Sequence, residues 1–304
     1  MMMKYKGWIM ALLAVIIGLI VLIPFLNKHS SAPKTKSTWL WDTGLIVHQA
    51  DDIVSFSKEQ GVKVIFLQIG ENVAEDKYRS FISKAAKEKI QVHALNGRPG
   101  WALYDHKAEA DEFLDWVKGY NSRSKPEERF TGVQFDVEPY LLKQWKSKRK
   151  VVLQEWMGNM RAWSDSGKQA GLSVGAAVPF WLNGINNPNG NGKQPMSEWM
   201  VNKLDYLAIM AYRDKASQIY DISEHLLQEA DRQEKKIWVG VELAQSKEGE
   251  GVSFYAQSEA VLDQELDKLV DLGDKHQSFA GVAVHSYEAW RTRFEPPKTV
   301  LKTD

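Results

Sequence analysis

The chain has 304 residues, 44% of them hydrophobic and 26% charged, and its 39 basic and 39 acidic side chains balance to a formal net charge of zero. A neutral chain lacks the basic footprint that nucleic-acid binding needs, so no nucleic-acid partner is expected. With no cysteine there is neither a disulfide scaffold nor a lipid-modified thiol, and twelve tryptophans are the one outlier in an ordinary globular composition.

After a short N-terminal segment, 1–6, residues 7–26 read as a transmembrane anchor or signal sequence. The stretch from Trp8 to Phe25 carries no charge and is interrupted only by Gly18 and Pro24. As a helix it would rise about 27 Å, near the thickness of a bilayer core. Lys4 and Lys6 precede it and Lys28, Lys34 and Lys36 follow, so charge does not decide its orientation. A cleaved signal has a shorter apolar core and small residues at the cut, whereas here Pro33 directly follows Ser30, Ser31 and Ala32. The expectation is an uncleaved single-pass anchor in the cell membrane with the bulk of the chain outside; secretion after signal cleavage is the alternative. A polar linker, 27–37, separates this segment from a domain over 38–292, and 293–304 form a C-terminal tail.

Within the domain, apolar β-rich runs at 39–47, 62–69, 90–95, 132–138, 172–178, 204–212, 237–243 and 279–287 predict strands. Amphipathic stretches at 49–60, 74–88, 106–120, 151–170, 197–203, 219–234 and 258–274 predict helices between them, with Gly61, Gly171 and Gly273 as helix-ending glycines. Eight buried strands alternating with helices over about 265 residues imply an α/β fold, a (β/α)8 TIM barrel preceded by one N-terminal transmembrane helix. A monomer is expected. The asparagine- and glycine-rich run 186–192 follows the fifth strand, as an exposed turn cluster or a mobile loop on the active rim.

Such barrels build their sites at the carboxyl ends of the strands. Those positions hold Trp41 and Asp42, Glu71, Asn96 and Arg98, Asp136 and Glu138, Trp181 and Asn183, Tyr212 to Asp214, Glu242, and His285, Tyr287 and Trp290. The opposite ends carry turn residues such as Lys63, Lys89, Asp205 and Lys236. Asp136 and Glu138 stand in an i, i+2 relation that points both side chains to one face, with α-carbons about 7 Å apart. One charge then disfavours the other and raises a pKa toward that of a general acid. His48, His93, His106 and His285 have no metal-ligand spacing, and no metal or other cofactor is expected.

Thr131-Gly132-Val133-Gln134-Phe135-Asp136-Val137-Glu138 resembles the strand-four signature of family 18 glycoside hydrolases, the chitinase-like enzymes, whose pattern is D-G-x-D-x-D-x-E. Asp205 to Tyr212 is similar to that family's sixth strand ending in Met-x-Tyr, and Trp290 to its tryptophan at the sugar-binding floor. Thr131 and Gln134 stand where the family has aspartates, and Arg213 where it often has an acid. The resemblance implies that Glu138 protonates the leaving oxygen, that Asp136 orients the substrate's 2-acetamido group as nucleophile, and that Tyr212 hydrogen-bonds that acetamide. Trp41, Asp42, Gln134, Trp181, Glu242 and Trp290 are the expected substrate-binding residues, and an N-acetylated oligo- or polysaccharide the partner.

Two alternatives stand beside this. A retaining glycosidase with Glu138 as acid/base and Glu242 as nucleophile would hold those carboxyls about 5 Å apart; otherwise Glu242 would be a structural acid paired with Arg98 or Arg213. A glycan-binding barrel without turnover is the second. From the sequence alone, the mature protein is expected to keep its first residues and to sediment with membranes. Intact-mass measurement and fractionation check this, and an amino terminus near Ala32 or beyond would show a cleaved signal instead.

Overall fold

The computed structural model describes residues 35–189 and 194–294. The apolar run 8–25 lies outside them, as do residues 190–193 of the asparagine-rich loop. Among the described residues no helix is long and apolar enough to cross a membrane.

Eight strands, β1 (Lys36–Leu40), β2 (Val62–Gln68), β3 (Gln91–Asn96), β4 (Gly132–Phe135), β5 (Ser173–Pro179), β6 (Tyr206–Met210), β7 (Lys236–Glu242) and β8 (Phe279–His285), pair in sequence order as a parallel barrel. β8 closes the ring on β1 through Lys36–Val282, Ser37–Ala283 and Thr38–Val284. Around them run α1 (Leu45–His48), α2 (Ala50–Glu59), α3 (Glu75–Lys87), α4 (Lys107–Ser122), α5 (Lys143–Ser147), α6 (Arg149–Gln169), α7 (Met196–Lys203), α8 (Ala216–Arg232), α9 (Glu259–Gly273) and α10 (Tyr287–Arg293).

Alternation along each strand divides the core in two. Outward residues such as Val133 and Phe135 join the large cluster under the helices, where the Phe135 ring stacks 4.9 Å from Trp163. Inward residues, among them Trp39, Phe66, Leu95, Tyr206 and Trp238, fill the barrel itself. Phe66 lies 5.4 Å from Trp39 and 5.9 Å from Tyr206. The same parity, continued past the strand ends, brings Trp41, Asp136, Glu138, Tyr212, Glu242 and His285 to the mouth above this filling.

The seven helices predicted within the domain are all present within a few residues, and the strands differ where side chains take over backbone partners. β1 begins at Lys36, inside the expected linker, and ends at Leu40 rather than Val47. Beyond it the Asp42 carboxylate accepts the Gly44 N–H at 2.9 Å, and the Thr43 hydroxyl donates to the Gln68 carbonyl at 2.6 Å. The chain therefore leaves the sheet, and 45–48 become a helical turn that buries Ile46. β6 starts late because the Asp205 carboxylate accepts the Val174 N–H at 2.9 Å. Gly61 and Gly171 take positive φ, 75° and 73°, after their helices, as a left-handed cap requires. Gly273 does not; it is the last residue of α9. α10 ends at Arg293, one residue into the expected tail.

Gly132 faces the barrel interior at a point with no room: a Cβ there would lie 2.6 Å from the Ser173 carbonyl oxygen and 2.8 Å from the His93 ring. Gly132→Ala is expected to cost about 1–3 kcal/mol, the usual penalty of overpacking, read as a lowered denaturation midpoint.

Candidate active site

The site is built from the end of β4. The Asp136 N–H donates to the Asn96 carbonyl at 3.1 Å, one rung beyond the last strand residue. Gly97 makes this approach possible, because any Cβ there would overlap the Asp136 carbonyl. Asp136 is half-buried, and its Oδ1 is enclosed without a hydrogen-bond partner. Burial, and secondarily the nearby Glu138 carboxylate, push the Asp136 carboxyl up to about 7. Glu138 accepts on Oε1 from the Tyr140 hydroxyl. That hydroxyl is held protonated, its pKa raised by burial and by its bond to Glu138. The edge of Trp181 packs 4.9 Å from the Tyr140 ring, so the β5 loop backs the acid.

The facing wall comes from β6, β7, β8 and β1. The Tyr212 hydroxyl is pushed well above its ordinary range by burial and then by Glu242, Asp136 and Glu138, so it stays a hydrogen-bond donor. Glu242 and His285 are register partners across β7 and β8. Glu242 Oε2 lies 2.8 Å from His285 Nδ1, and Oε1 accepts the Ala244 N–H at 2.7 Å. The Trp41 indole N–H reaches His285 Nε2 at 3.0 Å. The His285 ring lies 5.5 Å from Trp39 below it, 5.9 Å from Trp41 and 5.7 Å from Tyr212. Glu288 Oε1 accepts the backbone N–H groups of Trp41 and Asp42 at 2.7 and 2.8 Å.

The structure thus brings Asp136, Glu138, Tyr212, Glu242, Trp41 and Trp181 to one mouth, and it removes three expected residues. Gln134 is wholly buried below the mouth, its Oε1 accepting the Trp39 indole N–H at 2.7 Å. Asp42 is exposed, with its carboxylate turned to Gly44. Trp290 is 2% exposed, packed 5.4 Å from Phe56 of α2, with the Lys36 ammonium 5.6 Å from its ring. Lys36 opens β1, so this tryptophan belongs to the outer core on the far side of the barrel from the mouth. Arg98 and Arg213 do not pair with Glu242: Arg98 lies 3.7 Å from Glu71 and Glu109, and Arg213 covers Phe180. Sequence reasoning gave no role to Tyr140, His285 or Glu288. Tyr140 carried a usable signal, two residues past Glu138 with a rigid proline between.

Among the described residues no group of three or more His, Cys, Asp or Glu is placed to hold a metal ion. A cavity of about 480 Å³ opens on the same rim, between the ends of β2 and β3 and α4, walled by Trp101 and Trp116, and does not include the acid pair.

No protein-family model and no curated protein matches the chain. Solved structures match it in fold. A GH18 chitinase from Pseudoalteromonas aurantia superposes with a TM-score of 0.56 at 10% identity, over 85% of this chain and 96% of that one. The spore cortex-lytic enzyme SleL of Bacillus megaterium QM B1551 gives 0.55 at 11%, over 87% and 74%. A mutant plant class V chitinase from Cycas revoluta in complex with (GlcNAc)3 gives 0.52 at 11%, over 84% and 95%. At such identity the likeness is one of barrel architecture.

The raised Asp136 pKa makes stability depend on pH. Between its ordinary 3.8 and about 7, the folded state holds a proton that the unfolded state has lost. This contribution is therefore full at low pH and is lost as pH rises through that window. The urea midpoint of the wild type should fall, relative to that of Asp136→Asn, between pH 4 and 7. Parallel curves would place the Asp136 carboxyl at its ordinary value.

Proposed function

We propose that the chain is a glycoside hydrolase that cleaves N-acetylated glycans with retention, the substrate's own 2-acetamido group serving as nucleophile. The observation that carries this reading is the paired Asp136 and Glu138 at the end of β4, facing a Tyr212 hydroxyl that is kept as a donor. Tyr140 occupies one oxygen of Glu138 and leaves Oε2 as the atom through which the proton held by the Asp136–Glu138 pair is delivered. Glu138 passes that proton to the glycosidic oxygen as the bond to the anomeric carbon breaks and the acetamide oxygen bonds to that carbon. The acetamide N–H donates to Asp136, whose enclosed Oδ1 lacks any other partner, and Tyr212 holds the acetamide from the opposite side. Water then attacks the same carbon, returns its proton to Glu138 and restores the acetamide.

The substrate class draws support from the fold neighbours, one solved with an N-acetylglucosamine trimer and one a cortex-lytic enzyme. Peptidoglycan or chitin-like strands suit a barrel outside the cell, tethered by the apolar run 8–25. The two-glutamate alternative is weakened by Glu242 itself, since both of its oxygens are already engaged, by His285 and by the Ala244 N–H.

Three substitutions test the mechanism on N-acetylglucosamine oligomers. Glu138→Gln should lower kcat by about 10²- to 10⁴-fold with binding retained. Asp136→Asn should be nearly as damaging. Glu242→Gln, which keeps an acceptor for His285, should be mild and fall on KM. A fluorinated sugar trapped as an ester on Glu242 would establish double displacement instead, and binding without turnover by the wild type would leave a glycan-binding barrel.

A further inference from the structure

Glu242, His285 and Trp41 form a chain whose direction is fixed by chemistry. An indole nitrogen can only donate, so His285 Nε2, 3.0 Å from it, presents a lone pair. The ring proton then sits on Nδ1 and is donated to Glu242 Oε2 at 2.8 Å. Glu242 sets the tautomer, the tautomer supplies the acceptor, and the acceptor fixes the rotation of the Trp41 ring. The backbone of Trp41 is pinned separately, by Glu288. The indole is left half-buried at the mouth, oriented at both ends before any ligand arrives.

We infer that His285 is a positioning residue that presents the Trp41 face as a platform for the sugar ring, and that Glu242 acts on binding only through it. This rests on the glycan reading above. It separates roles that adjacency alone would merge: the β4 acids act on bond breaking, whereas the β7–β8–β1 chain acts on how a sugar is seated.

The test is a double-mutant cycle in the full chain, with binding of an N-acetylglucosamine oligomer by calorimetry, KM and kcat as readouts. Trp41→Phe removes the donor and His285→Phe the acceptor. Each should weaken binding about three- to tenfold, the range of one net hydrogen bond, with the loss in KM rather than kcat. The double variant should lose no more than the worse single one. His285→Gln carries an acceptor and a donor on one amide and should recover most of the loss, which guards against a variant that merely misfolds. Fully additive losses, or no rescue by glutamine, would overturn the inference. Independently of any glycan, nitrogen-15 spectra of the wild-type histidine rings should show His285 protonated on Nδ1 alone. A proton on Nε2 at neutral pH would overturn the inference while wild-type binding left the glycan reading standing. A wild type that binds no oligomer would instead refute the glycan reading, and the platform with it.

Discussion

Two carboxyl groups share the end of one strand, and one of them is half-buried with an oxygen wholly enclosed. That is the constraint on which the rest of this site depends. Removing a carboxylate from solvent beside a like charge is costly, and Asp136 meets the cost by holding its proton up to about pH 7. The arrangement persists because its backbone is over-determined. Asp136 continues the β3 pairing past the strand end, and Gly97 lets the two chains come close enough to do so. Below, His93 supplies no compensating charge. His93 is buried, its imidazole pushed down to about 3, and lies 2.8 Å from the Tyr206 hydroxyl. The field at the mouth is therefore set by the rim groups themselves.

Division of labour around that rim follows from strand order. β4 contributes the acids and β5 the aromatic backing behind Tyr140. β6 contributes a donor, and the seam where β8 meets β1 contributes a hydrogen-bonded clamp. Gln134 belongs to none of these. Its amide is two residues below Asp136, wholly buried and bound to Trp39 within the barrel filling.

The architecture was legible because buried strands and amphipathic helices leave different periods, and the alternation over Val133 to Glu138 already placed both acids on one face. Positions just beyond strand ends were less legible. Asp42 and Trp41 are neighbours, yet one caps a turn and the other points into the mouth, and the sequence does not show where extended geometry stops. Trp290 failed for a related reason: β8 gives way to α10, and a helix has its own facing, which carries that ring toward Phe56. His285 was visible at the rim, but its significance lies in partners more than forty and more than two hundred residues away, which no local pattern encodes.

The clamp on Trp41 has a consequence for the life of the molecule. The residues that hold it, His285 and Glu288, lie 244 and 247 positions further along the chain. A polypeptide emerging amino end first possesses its acids once β4 is made, but the seam that organises the first strand's loop waits for the last. An incomplete chain therefore holds the acids without the closed barrel or the clamp, and the mouth is assembled only when β8 and the start of α10 join β1.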